Sequence, residues 1–548
     1  MQAPSKVPVK SLSLGALAIG RELEAALLAK RTGATASPPI VPVTHNVIMK
    51  SRNTDHYRPQ SHITPAAGRL NDPNGMLLYD GRLHVFFQHD PSFPAQPKRI
   101  GWGHASTAFD YESSVQHDEA GEAPHAWDGT WQHHPDALYP DHSYDLHGCY
   151  SGGASFDADG NPVLFYTGNL KVDDAGQPDT AGSNRRPSQN IVRVTDINGA
   201  HGGFYRREAK NPIIPEPPAG IGGDFRDPMV TKNPARPGWM RMVIGAAREA
   251  DNQTPDAEEH KSIPAVALYA SDDPYLAQWD YQGLLDFDLS QAQPGGAPDL
   301  IPGGYMWECP NLLTLRDSAT GEHYDVLVIC PQGLERVVDE AGVTHYASSD
   351  QCGYVVGKLD GTTFRVSRGF AELDYGHQFY APQLLNLSAD TALLVGWMGL
   401  PDADDAPTLH HGWIHALTWP RLVWLEKGLL KQRPLVPAQS AREKQQHDRL
   451  HHIQLPGEEN WQAVLYDETG CACFEASLDA GAGQLTLIRW DENAACDQRV
   501  IAVPESSQWQ LTADGCAIEI WNAAGTICAS SMAYSPTVTP WAGWQLAE

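Results

Sequence analysis

Three carboxylates of this chain sit in short turn-rich motifs: Asp72 in "NDPNG", Asp227 in "FRDP" and Glu308 in "WECP". Glycoside hydrolysis needs two carboxyl groups flanking the scissile bond, one to protonate the leaving oxygen and one to act as nucleophile or to activate water. A third can orient the sugar or stabilise positive charge. Asp72 lies between Asn71 and a Pro-Asn-Gly turn, which predicts a rigid carboxylate supplied with donors that keep it ionised, as a nucleophile requires. Glu308 has an apolar neighbour on either side, Trp307 and Cys309, and desolvation there suits a general acid. Alone, each motif is also readable as structure: Asp before Pro opens turns, "RDP" is a common surface turn, and a Glu beside Trp often sits on a rim.

What groups the three is their place in a weak repeat. The strongest apolar strands, "HVFFQ", "VLFYTG", "MVIGAA", "VLVICPQG" and "LLVGWMG", recur with Val85, Val163, Met242, Val326 and Leu393 as markers. Each is preceded by a polar or turn-rich motif: "NDPNG", "YSGGAS", "FRDPMV", "WECPNL" and "GHQFYAP". Five units of this length fit the blades of a β-propeller, whose equivalent positions lie around one axis, so the five motifs would converge on a central pocket. A β-sandwich with decorated loops would give a similar pattern.

The predicted fold is all-β: a five-bladed β-propeller over 57–425, a linker over 426–447 and a β-sandwich over 448–548. The last rests on strand-like segments such as "QAVLYDE", "GQLTLIRWD" and "CAIEIWNAAG" at short intervals. Residues 1–56 read as a helix followed by a Pro-rich connector, "TASPPIVPVTHN".

Thirty-nine basic against 67 acidic residues leave a net charge of −28, which disfavours nucleic acid and anionic membrane surfaces and favours a neutral ligand. No apolar run reaches the length of a membrane span. Nine cysteines without a CxxC pair suggest neither a disulfide framework nor a zinc site, and with no convincing secretion signal the expectation is a reduced, cytoplasmic protein. The His-rich stretches "WQHHPDALYPDHSYDLHG" and "LHHGWIH" lack the spacing of a zinc site, so no metal and no cofactor are expected.

The three motifs, in this order and together with "FFQHDP", "GWGHAS", "CYSGGA", "FYAPQ" and "GWM", resemble glycoside hydrolase family 32, the invertase and fructan hydrolase family. The resemblance implies the propeller and sandwich just described and a retaining hydrolysis of β-fructofuranosides. It implies Asp72 as nucleophile, Glu308 as acid/base about 5 to 5.5 Å away, and Asp227 as transition-state stabiliser. Asn71, Gln88, Ser151, Arg226 and Tyr380 then match sugar contacts, and Trp397 an aromatic wall. Many members also carry a Trp shortly before "WGH"; here the segment reads "PAQPKRIGWGH", with Pro97 or Lys98 near its place. Phe93 and Trp102 are the candidates to rebuild the wall, although Trp102 is equally readable as core. Lys98 and Arg99 either hold a phosphate or are simply solvated. The expected substrates are sucrose and short fructo-oligosaccharides, with possible transfer of fructose to another sugar. A sucrose-6-phosphate hydrolase, a fructan hydrolase and a catalytically silent carbohydrate-binding propeller are the alternatives, as monomer or homodimer.

Overall fold

The computed structural model describes residues 55–96, 98–115, 126–179, 184–249, 262–346, 350–438, 450–490, 496–537 and 539–546. The helix expected ahead of residue 55 lies outside them. Described residues are nearly all in strands or the turns between them. The helical exceptions are the single turns Tyr111–Val115 and Pro407–His411.

Five sheets follow in chain order, each starting from the strand that carries one of the five motifs. The first pairs Gly68–Tyr79, Arg82–Asp90, Gly101–Ala108 and Gln132–Leu138 as an antiparallel meander. Its opening hairpin turns on Asp80 and Gly81, both at positive φ (49° and 72°), the two-residue turn whose twist matches that of the strands it joins. In the second, Cys149–Tyr150 and Ala154–Phe156 both pair with Pro162–Val172, which continues to Asn184–Thr195 and Phe204–Arg207. The third runs Ile221–Lys232, Met240–Glu249, Ser262–Ser271 and Asp280–Leu284. The fourth runs Met306–Arg316, His323–Gln332, Gly353–Asp360 and Thr363–Glu372, with Asp286–Asp288 added in parallel at its outer edge. The fifth runs Tyr380–Asn386, Thr391–Met398, Arg421–Glu426 and Leu429–Pro434.

The first strands touch in sequence. Gly68–Tyr79 packs on Ala154–Phe156, that strand on Ile221–Lys232, and so on through Met306–Arg316 to Tyr380–Asn386, which packs back on Gly68–Tyr79. A parallel pairing of Trp413–Ile414 with Gly68 and Arg69 ties the end of this region to its beginning. Between sheets the strands bury apolar residues on both faces, for example Val163, Phe165, Met242 and Ile244 between the second and third. Strands buried on both sides show little apolar–polar alternation, which is why the repeat is weak in the sequence.

The span expected as a linker from residue 426 opens with a strand. Leu429–Pro434 is the outer strand of the fifth sheet, reached through a Lys427–Gly428 turn at φ 54° and 74°. Beyond residue 450 two further sheets enclose one core that includes Leu465, Phe474, Leu487, Trp509 and Ile518. A fully buried charge network joins them to the first region. Arg421 reaches Asp374 at 2.9 Å and Glu519 at 3.0 Å, and His62 lies between Asp514 at 2.8 Å and Glu519 at 3.1 Å.

Candidate active site

The motifs expected as turns before strands are bulges inside them. "NDPNG" falls within Gly68–Tyr79, "FRDP" within Ile221–Lys232, "WECP" within Met306–Arg316 and "YAP" at the start of Tyr380–Asn386. In all four the pairing register slips at the Xaa-Pro step: between Leu70 and Pro73, Arg226 and Met229, Glu308 and Asn311, and Tyr380 and Gln383. Proline has no N–H to give the ladder, so a strand that carries one bulges there. The residue before the proline takes positive φ in three of the four, Asp227 (69°), Cys309 (47°) and Ala381 (46°). A side chain other than glycine rarely adopts that conformation, and where it does the site is often a functional one. A regular strand sends consecutive side chains to opposite faces. The bulge breaks that rule, so neighbours such as Asn71 and Asp72, or Arg226 and Asp227, reach the same space.

That space is a cavity of about 800 Å³ lined by Asn71, Asp72, Gln88, Arg226, Asp227, Glu308, Tyr380 and Trp397. Asp72 accepts hydrogen bonds from Asn71 Nδ2 on Oδ1 (3.1 Å) and from Gln88 Nε2 and the Ser151 hydroxyl on Oδ2 (3.4 Å for Gln88). Asn71 also donates to Gln88 Oε1 at 3.1 Å. Ser151, in the gap between the two short strands of the second sheet, is itself buried and acts from behind Asp72. Glu308 is held at both oxygens. Arg226 approaches Oε1 with Nε at 2.8 Å and Nη2 at 2.7 Å, and the Tyr380 hydroxyl donates to Oε2 at 2.9 Å. Asp227 accepts the Cys309 backbone N–H at 3.0 Å, and its own N–H donates to Thr167 Oγ1 at 3.0 Å.

The electrostatics differ from the sequence expectation at two points. Donors do surround Asp72, but burial pushes its carboxyl above the ordinary range, with the Ser151 hydrogen bond opposing and Glu308 adding to the rise. Glu308 is not framed by its apolar neighbours. Trp307 turns into the core and donates to Gly303 O, while the Cys309 thiol points to Asp227 at 3.6 Å and Asp72 at 3.8 Å. Asp227 is pushed up to about 7 by burial, against Arg226 and with the help of Glu308 and Asp72. Burial, reinforced by the nearby carboxylates, keeps the Cys309 thiol and the Tyr380 hydroxyl well above their ordinary values, so both remain donors.

Trp102 is a correction. It is fully buried among Phe86, Tyr166 and Leu164, and its Nε1 donates to Tyr150 O at 3.1 Å. Its strand, Gly101–Ala108, is buried at every position but the last, so the ring has no path to the cavity. Phe93 is half-buried and does not line the cavity; Pro97 lies outside the described residues. The apolar wall is made instead by Ile100, Tyr150, Tyr305 and Trp397. Trp397 is fixed by the Arg69 guanidinium 5.4 Å above its ring and by His415 edge-on at 5.1 Å. Tyr150 has a sequence signal that goes unread, because it precedes Ser151 as Arg226 precedes Asp227. Arg69, Arg185 and Asp224 also line the cavity, and no motif announces them. In the His-rich loop, Asp141, His142 and Asp145 bring ligand atoms within 4.8 Å of one another, but Asp145 is already engaged by the Tyr166 hydroxyl at 2.7 Å and by Arg207 at 3.4 Å.

Residues 62–113 and 129–434 match the family model described as Glycosyl hydrolases family 32 N-terminal domain. The chain is 34% identical over 404 residues to the sucrose-6-phosphate hydrolase of Bacillus subtilis, a span covering 73% of this chain and 70% of that one. It is 30% identical over 507 residues to the raffinose invertase of Escherichia coli, covering 89% of this chain and 91% of that one. Of solved structures, a GH32 beta-fructofuranosidase from Bombyx mori matches with a TM-score of 0.65 at 25% identity, over 90% of this chain and 93% of that one.

Proposed function

The chain belongs to glycosyl hydrolase family 32, a family of fructoside hydrolases, and from that premise we propose that it is a retaining β-fructofuranosidase acting on sucrose and short fructo-oligosaccharides. The observation that carries this reading is the meeting of Asp72, Asp227 and Glu308 in one cavity, with hydrogen-bond donors on Asp72 and a fixed cation and hydroxyl on Glu308.

In this reading Asp72 attacks the anomeric carbon of the fructosyl unit through Oδ1, because Oδ2 is occupied by Ser151, Gln88 and the Cys309 thiol. Glu308 gives its proton to the glycosidic oxygen as that bond breaks, and the leaving sugar departs as an alcohol. The now ionised Glu308, with Arg226 and Tyr380 as its partners, takes a proton from water, whose oxygen displaces Asp72 and releases fructose. A sugar hydroxyl in place of that water gives transfructosylation. Asp227, near 7, exchanges hydrogen bonds with the fructosyl hydroxyls in either protonation state. Asn71, Gln88, Arg226 and Tyr380 hold the sugar and the carboxylates, and Trp397 forms its wall.

The same reading takes the five sheets as blades of a propeller and the two C-terminal sheets as a β-sandwich. Nine free thiols support a reducing, cytoplasmic setting. The test is glucose release from sucrose by the wild type and by Asp72→Asn. The variant is expected to lose at least about a thousandfold. Equal rates would remove the nucleophile assignment, and a wild type that binds sucrose without turning it over would favour a carbohydrate-binding propeller.

A further inference from the structure

Asp224 stands at the rim of the cavity, with 40% of its side chain open to solvent, and holds two cations: Arg226 Nη1 at 2.6 Å and Arg185 Nη1 at 3.6 Å. The lining carries three guanidinium groups, Arg69, Arg185 and Arg226, against four carboxyl groups, Asp72, Asp224, Asp227 and Glu308. Each of these cations already faces a carboxylate. Arg69 Nε lies 2.8 Å from Asp404 Oδ1, Arg226 bridges Glu308 and Asp224, and Arg185 faces Asp224. The basic pair that the sequence offered as a phosphate grip, Lys98 and Arg99, is exposed, and neither residue lines the cavity.

We propose that Asp224 is a specificity-determining residue: its carboxylate occupies Arg185 and Arg226 and so turns the site toward an uncharged leaving sugar and away from a phosphorylated one. The proposal rests on the hydrolase reading, in which the leaving oxygen sits against Glu308. Arg226 joins Glu308 to Asp224, so the leaving sugar must extend over this rim. A phosphate dianion there meets a carboxylate and no unpaired guanidinium, and like-charge juxtaposition is an efficient way to reject a competing ligand. A sugar hydroxyl has no such cost and can accept from Arg185 or donate to Asp224.

Arg185 lies on Asn184–Thr195 and Asp224 on Ile221–Lys232, so the pair spans the second and third sheets and is set by two separate strands. Removing the negative charge while keeping the shape, in Asp224→Asn, leaves Arg185 and the Nη1 edge of Arg226 without a carboxylate and so able to meet a phosphate, while Arg226 stays on Glu308 through Nε and Nη2.

The experiment compares kcat/KM for sucrose and sucrose 6-phosphate in the wild type, in Asp224→Asn and in the double variant Asp224→Asn/Arg185→Gln. The wild type is expected to favour sucrose. In Asp224→Asn the ratio should move about tenfold toward the phosphorylated sugar, and the double variant should give most of that gain back. Because the readout is a ratio, a general loss from a disturbed Arg226 cancels. A wild type that turns over sucrose 6-phosphate as fast as sucrose, or a ratio unchanged in Asp224→Asn, overturns the proposal. Turnover of neither sugar by the wild type would instead remove the hydrolase reading, and this proposal with it.

Discussion

Arg226 meets Glu308 with two nitrogens on one oxygen, Nε at 2.8 Å and Nη2 at 2.7 Å, so the candidate acid is anchored by a planar fork and not by a point charge. Lysine would keep the charge and lose the fork. Arg226→Lys is therefore expected to lower kcat/KM for sucrose by about a hundredfold, while Tyr380→Phe, which removes the neutral donor on the other oxygen, costs less. Steady-state kinetics on the two variants decide the order. A larger loss in Tyr380→Phe would shift the anchoring role to the tyrosine.

Ser151 acts on Asp72 through one hydrogen bond that opposes the effect of burial. A nucleophile must be ionised, so anything that raises the Asp72 pKa moves the acidic limb of the kcat/KM profile to higher pH. Ser151→Ala removes the opposing bond, and its acidic limb should lie above that of the wild type. Superimposable acidic limbs in the two enzymes would show that the bond does not tune Asp72.

Asp227 is protonated in the folded state up to about 7, whereas in the unfolded chain it ionises near 3.9. Between those values the folded state binds the extra proton, so this group's contribution to stability falls as pH rises from about 4 to 7. Asp227→Asn should therefore be inactive yet more stable than the wild type, by a few kcal/mol at pH 8 and by little at pH 4. Denaturant melts at the two pH values test this. A variant less stable than the wild type at pH 8 would mean that the carboxylate is better solvated than its burial implies.

His62 has the opposite sign. Burial pulls its pKa down, but hydrogen bonds to Asp514 and Glu519 outweigh it and push the value up to about 9. Its stabilisation is complete below the unfolded value near 6.5 and is lost as pH rises through about 9. His62→Gln should lose about 3 kcal/mol at pH 6, since buried Asp514 loses its cation and Glu519 keeps only Arg421, and the deficit should shrink by pH 9.5. A deficit constant across that range would assign His62 a packing role only.

The residue types of the site were legible because chemistry restricts them: carboxylates one or two residues before a proline, repeated ahead of apolar strands. The conformation was not. "NDPNG" reads as a turn by local preference, and only the pairing of Gly68–Tyr79 with Arg82–Asp90 on both sides of Pro73 makes it a bulge within a strand. Trp102 misled for a related reason. Its strand is buried on both faces, so no alternation distinguishes a ring aimed at the core from one aimed at the cavity. Arg185 and Asp224 meet across two sheets, a juxtaposition that no local pattern encodes.

Three histidines in the first sheet should contribute to loss of stability in acid. His84 Nδ1 lies 3.0 Å from His104 Nε2, His104 stacks on His134 with ring centroids 4.4 Å apart, and His84 Nε2 meets Asn198 Oδ1 at 3.0 Å. Tyr205 faces His104 Nδ1 at 3.1 Å, and Arg82 faces the same group through Ser106, to which its Nη2 donates at 2.9 Å. The Ser106 hydroxyl also pairs with His134 Nε2 at 2.8 Å. Burial first, then His134 and Arg82, pull His84 down to about 4, and His104 and His134 are lowered as well. The folded state therefore binds fewer protons than the unfolded chain between about 4 and 6.5, and this stability is present above 6.5 and lost as pH falls toward 4. His84 lies on the strand that carries Gln88, so acid opening of this sheet dismantles the Asp72 contacts with it. His84→Gln, whose amide can still pair with Asn198, should lose about 2 kcal/mol less between pH 7 and 4 than the wild type does, read from urea melts at each pH. An unchanged pH slope in that variant would move the acid sensitivity away from the stack.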